Sequence, residues 1–163
     1  MYKVMIIDDE EVVLEGLKHM IDWNDLGCEV SDTAMSAEEG IEKIKKQTPD
    51  IIITDIRMKS MTGLEMIEAV SDRLKNTKVI IMTAYRNFEY AQTAIALGVV
   101  EFILKPTKLG SIKAAVRKSV EELDELHRSL EMVKQLEENN IKFNKICIEK
   151  ILSEACGANG GDW

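Results

Sequence analysis

Val4-Met5-Ile6-Ile7 runs straight into Asp8-Asp9, and Ile51-Ile52-Ile53-Thr54 runs straight into Asp55. Two further stretches share the layout. Val79-Ile80-Ile81-Met82 leads to Thr83-Ala84, and Phe102-Ile103-Leu104 leads to Lys105-Pro106. Short, unbroken apolar runs mark strands covered on both faces, the usual situation in parallel sheets. In an open parallel sheet, ligands bind outside the carboxyl ends of the strands. The four stretches therefore bring three carboxylates, a hydroxyl and an ammonium to one edge of one sheet.

Helical patterns separate the runs. Val12, Val13, Gly16, Leu17, Met20 and Ile21 follow helical spacing after the strand Lys3–Asp8. Glu29–Ala34 reads as a weaker strand. Ser36 with Glu39 three residues on is a capping box opening a helix through Ile41 and Ile44. Pro49 closes that region before the strand Ile51–Thr54. Gly63–Leu74 repeats apolar residues at Leu64, Ile67 and Val70. Lys78–Met82 is the fourth strand, Asn87–Leu97 the next helix with Gly98 as its stop, and Glu101–Leu104 the fifth strand. Five βα repeats predict a doubly wound α/β domain with right-handed crossovers and helices on both faces.

The bulk numbers agree with a packed domain. The chain has 163 residues, 45% of them apolar, and a net charge of −8. That charge weighs against a large nucleic-acid surface on this chain alone and against anionic membranes. The opening residues turn acidic too early for a signal peptide. No apolar run approaches the roughly 20 residues of a membrane helix. Cys28, Cys147 and Cys156 show no C-x-x-C spacing and read as reduced thiols of a cytoplasmic protein. His19 and His127 offer no zinc spacing with them.

Transfer of a phosphoryl group to a carboxylate requires that both negative charges be offset, and a hard divalent cation does this. Asp8, Asp9 and Asp55 supply the oxygen ligands for magnesium. By itself, Asp8-Asp9-Glu10-Glu11 would also serve as an acidic first turn of a helix. Asp55 at the end of a second buried strand favours the metal. Thr83 offers a hydroxyl to a phosphoryl oxygen, and Lys105 a fixed positive charge. Gly63 lets the loop after Asp55 turn back. The methionines Met58, Met61, Met66 and Met82 read as packing. A flavin-nucleotide carrier on the same fold would need backbone donors and hydroxyls after the first strand, where this chain has four consecutive acids.

The ordered set Ile6-Ile7-Asp8-Asp9-Glu10, Asp55-Ile56-Arg57-Met58, Met61-Thr62-Gly63, Thr83-Ala84, Phe102 and Lys105-Pro106 resembles the receiver domain of bacterial two-component response regulators. The resemblance covers about residues 2–119. Phe88-Glu89-Tyr90-Ala91, Ala94-Ile95 and Leu97-Gly98 further resemble receivers joined to AraC-type DNA-binding domains. It implies a flavodoxin-like (βα)5 fold with strand order 2-1-3-4-5. It implies a switch rather than an enzyme, in which Asp55 accepts a phosphoryl group from a histidine kinase. Asp9, Asp55 and the backbone carbonyl of Arg57 would ligate Mg2+, with Asp8 acting through water. Thr83 and Lys105 would hold the phosphoryl group, and Phe102 would be the switch aromatic. A pseudo-receiver that never accepts phosphate is the alternative, and the complete set of acids argues against it. One departure is Lys59, where the family usually has a proline that would pre-set the loop.

After Pro106 the chain changes character. Leu109, Ile112, Val116, Ser119, Leu123, Leu126, Leu130 and Val133 step by three and four, a heptad seam with one polar interruption. We expect a receiver over residues 1–119, a helical extension or linker over 120–155, and a flexible tail over 156–163. Asn139-Asn140 predicts a break, with Ile141–Ala155 as a separate amphipathic helix. No helix-turn-helix is readable after Glu138, so any control of transcription would run through a domain absent from this sequence. The seam beyond the domain predicts a homodimer through the C-terminal helix.

Overall fold

The computed structural model describes residues 1–157. Five strands, β1 (Tyr2–Ile7), β2 (Cys28–Ala34), β3 (Ile51–Thr54), β4 (Lys78–Thr83) and β5 (Glu101–Leu104), alternate with five helices. These are α1 (Glu11–Met20), α2 (Ala37–Lys46), α3 (Gly63–Ala69), α4 (Phe88–Ala96) and α5 (Leu109–Gly157). All strand pairs are parallel, in the order β2-β1-β3-β4-β5. The chain therefore winds outward in both directions from β1 and β3, and the crevice lies between their carboxyl ends.

The central runs are buried on both faces because consecutive side chains leave a strand in opposite directions. Val4, Ile6, Ile51, Ile53, Ile80, Met82 and Ile103 pack with Leu14 and Leu17 of α1 and with Ile112, Ala115, Val116 and Leu123 of α5. Met5, Ile7, Ile52, Val79 and Ile81 pack on the other side, with Ile44, Leu64, Met66, Ile67 and Ala94 of α2, α3 and α4. Trp23 closes the first cluster, its indole N–H donating to the Leu17 carbonyl at 3.1 Å. On the edge strand β2 the register slips between Val4 and Met5, leaving Ser31 unpaired in the ladder. Its hydroxyl donates to the Val4 carbonyl at 3.3 Å instead.

Local details differ from the sequence reading in several places. The Ser36 hydroxyl accepts the Glu39 N–H at 3.1 Å, but the Glu39 carboxylate takes the N–H of Met35, not of Ser36. The complete capping box lies at Thr62 and Glu65, opening α3. That helix stops at Ala69, short of Leu74, because the chain tightens into three-residue turns such as Arg73 N–H to Val70 O. Val70 and Leu74 still bury.

The largest difference is in α5, which runs unbroken through Asn139-Asn140 to Gly157. Asparagine in a helix interior costs only about 0.7 kcal/mol relative to alanine, and no glycine or proline lies between Gly110 and Gly157 to stop the helix. Ile141–Ala155 is therefore a continuation of α5 and not a separate helix. Cys156 and Gly157 are helical too, and the rest of the expected tail, 158–163, lies outside the described residues. The backbone contacts divide the chain into Met1–Leu123 and a second unit from Asp124 onward. Packing thus extends past Ser119, whose buried hydroxyl donates to the Ala115 carbonyl at 2.9 Å, to Leu123.

No described helix is long and apolar enough to cross a membrane. The three cysteines are free thiols. Burial, reinforced by the Asp50 carboxylate and opposed by the N-terminal ammonium, pushes the Cys28 thiol up to about 11. A raised thiol contributes stability below its ordinary value of about 8.5 and loses it as pH climbs through 11. At pH 8, native protein should therefore alkylate at exposed Cys156 and leave Cys28 untouched until denaturant is added. Peptide mass mapping checks this, and equal native rates at the two sites would contradict the packing described.

Candidate functional site

The acids meet because of strand register. Ile7 of β1 pairs with Thr54 of β3, so the next residue of each strand, Asp8 and Asp55, emerges side by side. The Asp55 N–H donates to the Ile7 carbonyl at 3.0 Å, and the Asp8 N–H to the Ala34 carbonyl at 3.1 Å. Both side chains are nearly buried, 3% exposed for Asp8 and 8% for Asp55. Asp9 sits half-buried beside them. One carboxylate oxygen from each of Asp8, Asp9 and Asp55 lies within 4.8 Å of the others.

Each carboxylate is held in place. Asp8 Oδ1 accepts the Glu10 N–H at 2.9 Å, and Asp55 Oδ1 accepts the Ile56 N–H at 2.7 Å. Their second oxygens face Lys105, whose ammonium reaches Asp8 Oδ2 at 2.7 Å and Asp55 Oδ2 at 3.1 Å. Burial alone would lower the Lys105 pKa. The hydrogen bond from Asp8 and the charges of Asp8 and Asp55 outweigh it and raise the pKa above its ordinary value. The lysine is placed there by β5, whose partner strand accepts the Lys105 N–H at the Thr83 carbonyl, 2.8 Å away. The Lys105–Pro106 peptide bond is cis.

The loop after Asp55 is fixed at both ends. The Thr54 hydroxyl donates to the Asp55 carbonyl at 2.9 Å, and the Gly63 N–H donates to the Ile56 carbonyl at 2.7 Å. Gly63 lies so close that a Cβ there would fall 2.0 Å from the Asp55 carbonyl oxygen. The loop carrying Lys59 is tied to α2 by a hydrogen bond from the Ser60 hydroxyl to the Glu38 carboxylate, which also lowers the Glu38 pKa.

The remaining expected residues stand around this centre. Thr83 is fully buried at the end of β4, its hydroxyl accepting the Tyr85 N–H at 3.3 Å. Phe102 pairs with Ile81 across the β4–β5 ladder and is partly buried against the α3 and α4 side of the core. Arg57 is exposed, its guanidinium 4.4 Å from the centre of the Tyr85 ring. That stack joins the loops after β3 and β4. The sequence carries no signal for their pairing. The Thr62–Glu65 box was legible as T-x-x-E at the start of the Leu64–Ile67 apolar pattern but was not read from the sequence.

A response regulator receiver domain is matched over residues 4–117. The chain belongs to that family. It is 36% identical over 123 residues, 76% of its own length, to the transcriptional regulatory protein YesN of Bacillus subtilis, an uncharacterized protein of which those residues make up 33%. The chain spans between a third and a half of the length of the curated relatives it matches. Among solved structures, the receiver domain of AraT from Geobacillus stearothermophilus superimposes with a TM-score of 0.72 at 36% identity. That match covers 77% of this chain and 98% of the other. A CheX–CheY complex with beryllofluoride and magnesium from Borrelia burgdorferi gives 0.64 at 26% identity, covering 71% and 86%.

Proposed function

We propose that this chain is the phosphorylation-controlled receiver of a transcriptional regulator, with Asp55 as the phosphoacceptor. The observation that carries the reading is the convergence of Asp8, Asp9 and Asp55 around one point, with Lys105 bonded to two of them. Three hard oxygens at this spacing fit a small divalent cation that keeps several waters. Asp9, Asp55 and the Arg57 carbonyl would hold Mg2+, and Asp8 would act through water. The cation supplies charge neutralisation for an incoming phosphoryl group. An Asp55 oxygen then attacks phosphorus, and the bond to the donor histidine breaks, its electron pair leaving with the imidazole. Lys105 exchanges a carboxylate contact for a phosphoryl oxygen, and Thr83 gives up its Tyr85 contact to donate to another. Positioning and electrostatics supply the rate, so the chain is a switch that assists its own chemistry rather than an enzyme acting on a separate substrate.

Receiver domains partner with histidine kinases. Beside Lys105, a groove of about 460 Å³ is lined by Val13, Leu17, Met20, Pro106, Leu109 and Ile112. Its apolar lining suits an amphipathic helix of the kinase. The output lies outside this sequence, in keeping with relatives two to three times its matched length. At net charge −8, this chain alone does not bind DNA specifically. A cytoplasmic location follows from a kinase partner and reduced thiols.

Phe102 is the reporter of the switch. Its strand adjoins β4, so a shift of the loop after Thr83 changes the packing around it, a local charge event biasing a two-state element. Beryllofluoride with Mg2+ should raise the melting temperature of the wild type, leave that of Asp55→Asn unchanged, and move the NMR signals of Phe102 and residues 84–97. A bound complex with those signals unmoved would refute the switch, and equal stabilisation of Asp55→Asn would refute the acceptor.

The same reading gives the chain a second copy of itself as partner. Leu130 and Val133 are 52% exposed on α5. Ile141, Ile148 and Ile151 continue the exposure toward the helix end. Because α5 does not turn back at Asn139-Asn140, no hairpin covers this stripe among the described residues. Pairing of two α5 helices buries it and carries the state of the receiver to the output.

A further inference from the structure

Residues 57–61 carry the proposed backbone ligand of the acidic site, yet the backbone does little to hold them. The Ile56 carbonyl accepts the Gly63 N–H, and Thr62 opens α3, so both ends of the segment are fixed. Among the described residues, no backbone–backbone hydrogen bond involves residues 57–61 themselves. Arg57-Met58-Lys59-Ser60-Met61 has no proline to fix a backbone angle. Its conformation therefore rests on side chains. Met58 and Met61 pack, partly buried, against the core cluster that includes Ala37, Ile44 and Leu64. Apolar contact of this kind is non-directional. Two contacts have a direction: Arg57 stacks on Tyr85, and the Ser60 hydroxyl donates to the Glu38 carboxylate.

The Ser60–Glu38 bond has the firmer anchor of the two. Tyr85 lies on the loop after β4, which the proposed switch displaces. Glu38 lies in the first turn of α2. Ala37 and Ile44 of that helix are fully buried. At Gly40 a Cβ would fall 2.8 Å from Met66 Sδ and 3.0 Å from Ile7 Cδ1, so α2 sits hard against α3 and β1. The Ser36 hydroxyl and the Glu39 carboxylate close its first turn. A hydrogen bond from a loop to a helix packed in this way restricts the loop, not the helix. The Ser60 hydroxyl also lowers the Glu38 pKa, so the acceptor is a carboxylate at neutral pH and the bond is charge-assisted.

Glu38 is not itself a ligand. Among the described residues, the acidic cluster consists of Asp8, Asp9 and Asp55. Any effect of Glu38 on a cation there reaches it through the loop. A backbone carbonyl binds a cation more tightly when its peptide is already held, because less ordering accompanies binding.

Resting on the reading of Asp9, Asp55 and the Arg57 carbonyl as metal ligands, we propose that Glu38 is a positioning residue of the phosphorylation site. Through Ser60 it holds residues 57–61 in the form that presents the Arg57 carbonyl to Mg2+. This gives α2, which contributes no residue to the acidic cluster, a part in metal binding.

Calorimetric titration of the full chain with Mg2+ tests the tether. Ser60→Ala and Glu38→Ala each remove the bond. Both residues are exposed, so the urea midpoint without metal should barely move. Each variant should bind Mg2+ about three- to tenfold more weakly. The double variant should lose no more than either alone, because the same bond is lost in all three. Glu38→Gln keeps an acceptor oxygen without the charge and should bind Mg2+ more tightly than Glu38→Ala. The Mg2+ concentration for half-maximal labelling by acetyl phosphate should rise by the same factor, with the rate at saturating Mg2+ unchanged. General damage to the receiver would not give that split. In the metal-free protein, backbone 15N order parameters should fall at residues 57–61 and hold in α2 and α3.

Unchanged Mg2+ affinity in Ser60→Ala, with the wild type still binding the metal, overturns the tether and leaves the ligand set standing. Losses that add in the double variant overturn it too, because the two residues would then act separately. A loss in Glu38→Gln with none in Ser60→Ala would show Glu38 acting by its charge across space. No Mg2+ binding by the wild type overturns the ligand set itself, and with it any part for Glu38.

Discussion

Gly63→Ala should destabilise the receiver by about 3 kcal/mol and disturb the acidic site in the same stroke. The methyl would lie 2.0 Å from the Asp55 carbonyl oxygen and 3.0 Å from the Thr54 hydroxyl. The first of these is backbone and cannot rotate away. Relief requires either the loop after Asp55 to lift or the first turn of α3 to retreat. Lifting the loop stretches the 2.7 Å bond from the Gly63 N–H to the Ile56 carbonyl. Retreat pulls on Leu64, Met66 and Ile67, all buried against β1, β3 and β4. Each route costs packing or a buried hydrogen bond. The expected drop in melting temperature is on the order of 10 °C for a domain of this size. Phosphorylation should slow as well, because the Asp55 and Arg57 backbone moves with the loop. A variant as stable as the wild type would show that the close approach is not there.

Lys105→Met separates the two tasks of that lysine. Without metal, the variant leaves Asp8 and Asp55, both nearly buried, facing each other with no cation between them. Removing one partner from a buried ion pair costs about 3–5 kcal/mol. The half-open Asp9 side of the site brings the expected loss to about 2–3 kcal/mol. Added Mg2+ should recover most of that loss, since it restores a positive charge to the same oxygens. The wild type should gain less from the metal, because its lysine already offsets part of the charge. Lys105 has a raised pKa, so its stabilisation is complete below the ordinary lysine value of about 10.4 and fades only as pH rises beyond it. The difference between the two proteins should therefore be constant across neutral pH. Urea melts with and without Mg2+ at pH 7 and pH 9 measure all of this. A stability deficit that ignores the metal would mean that Lys105 acts through packing.

The sheet was legible because its strands are written as unbroken apolar runs, and their alternating burial on two faces follows from the strand repeat alone. The site was legible for the same reason: Asp8, Asp55, Thr83 and Lys105 each stand one residue past, or at, a strand end. What sequence could not show is distance. Gly40 reads as a weak helix residue, yet a Cβ there would fall 2.8 Å from Met66 Sδ, so its smallness lets α2 sit against α3. The Arg57–Tyr85 stack joins two loops, and the Ser60–Glu38 bond a loop and α2, far apart in sequence, and no local pattern encodes them. Asn139-Asn140 does not break α5, because the long helical pattern on both sides outweighs the turn tendency of two asparagines.

Intact mass spectrometry after incubation with acetyl phosphate tests the central claim most directly. With Mg2+ the wild type should gain the mass of one phosphoryl group, Asp55→Asn should gain none, and EDTA should abolish the gain. Peptide mapping should place the group on Asp55. Undiminished labelling of Asp55→Asn would contradict the acceptor, and labelling that survives EDTA would contradict the role of the metal.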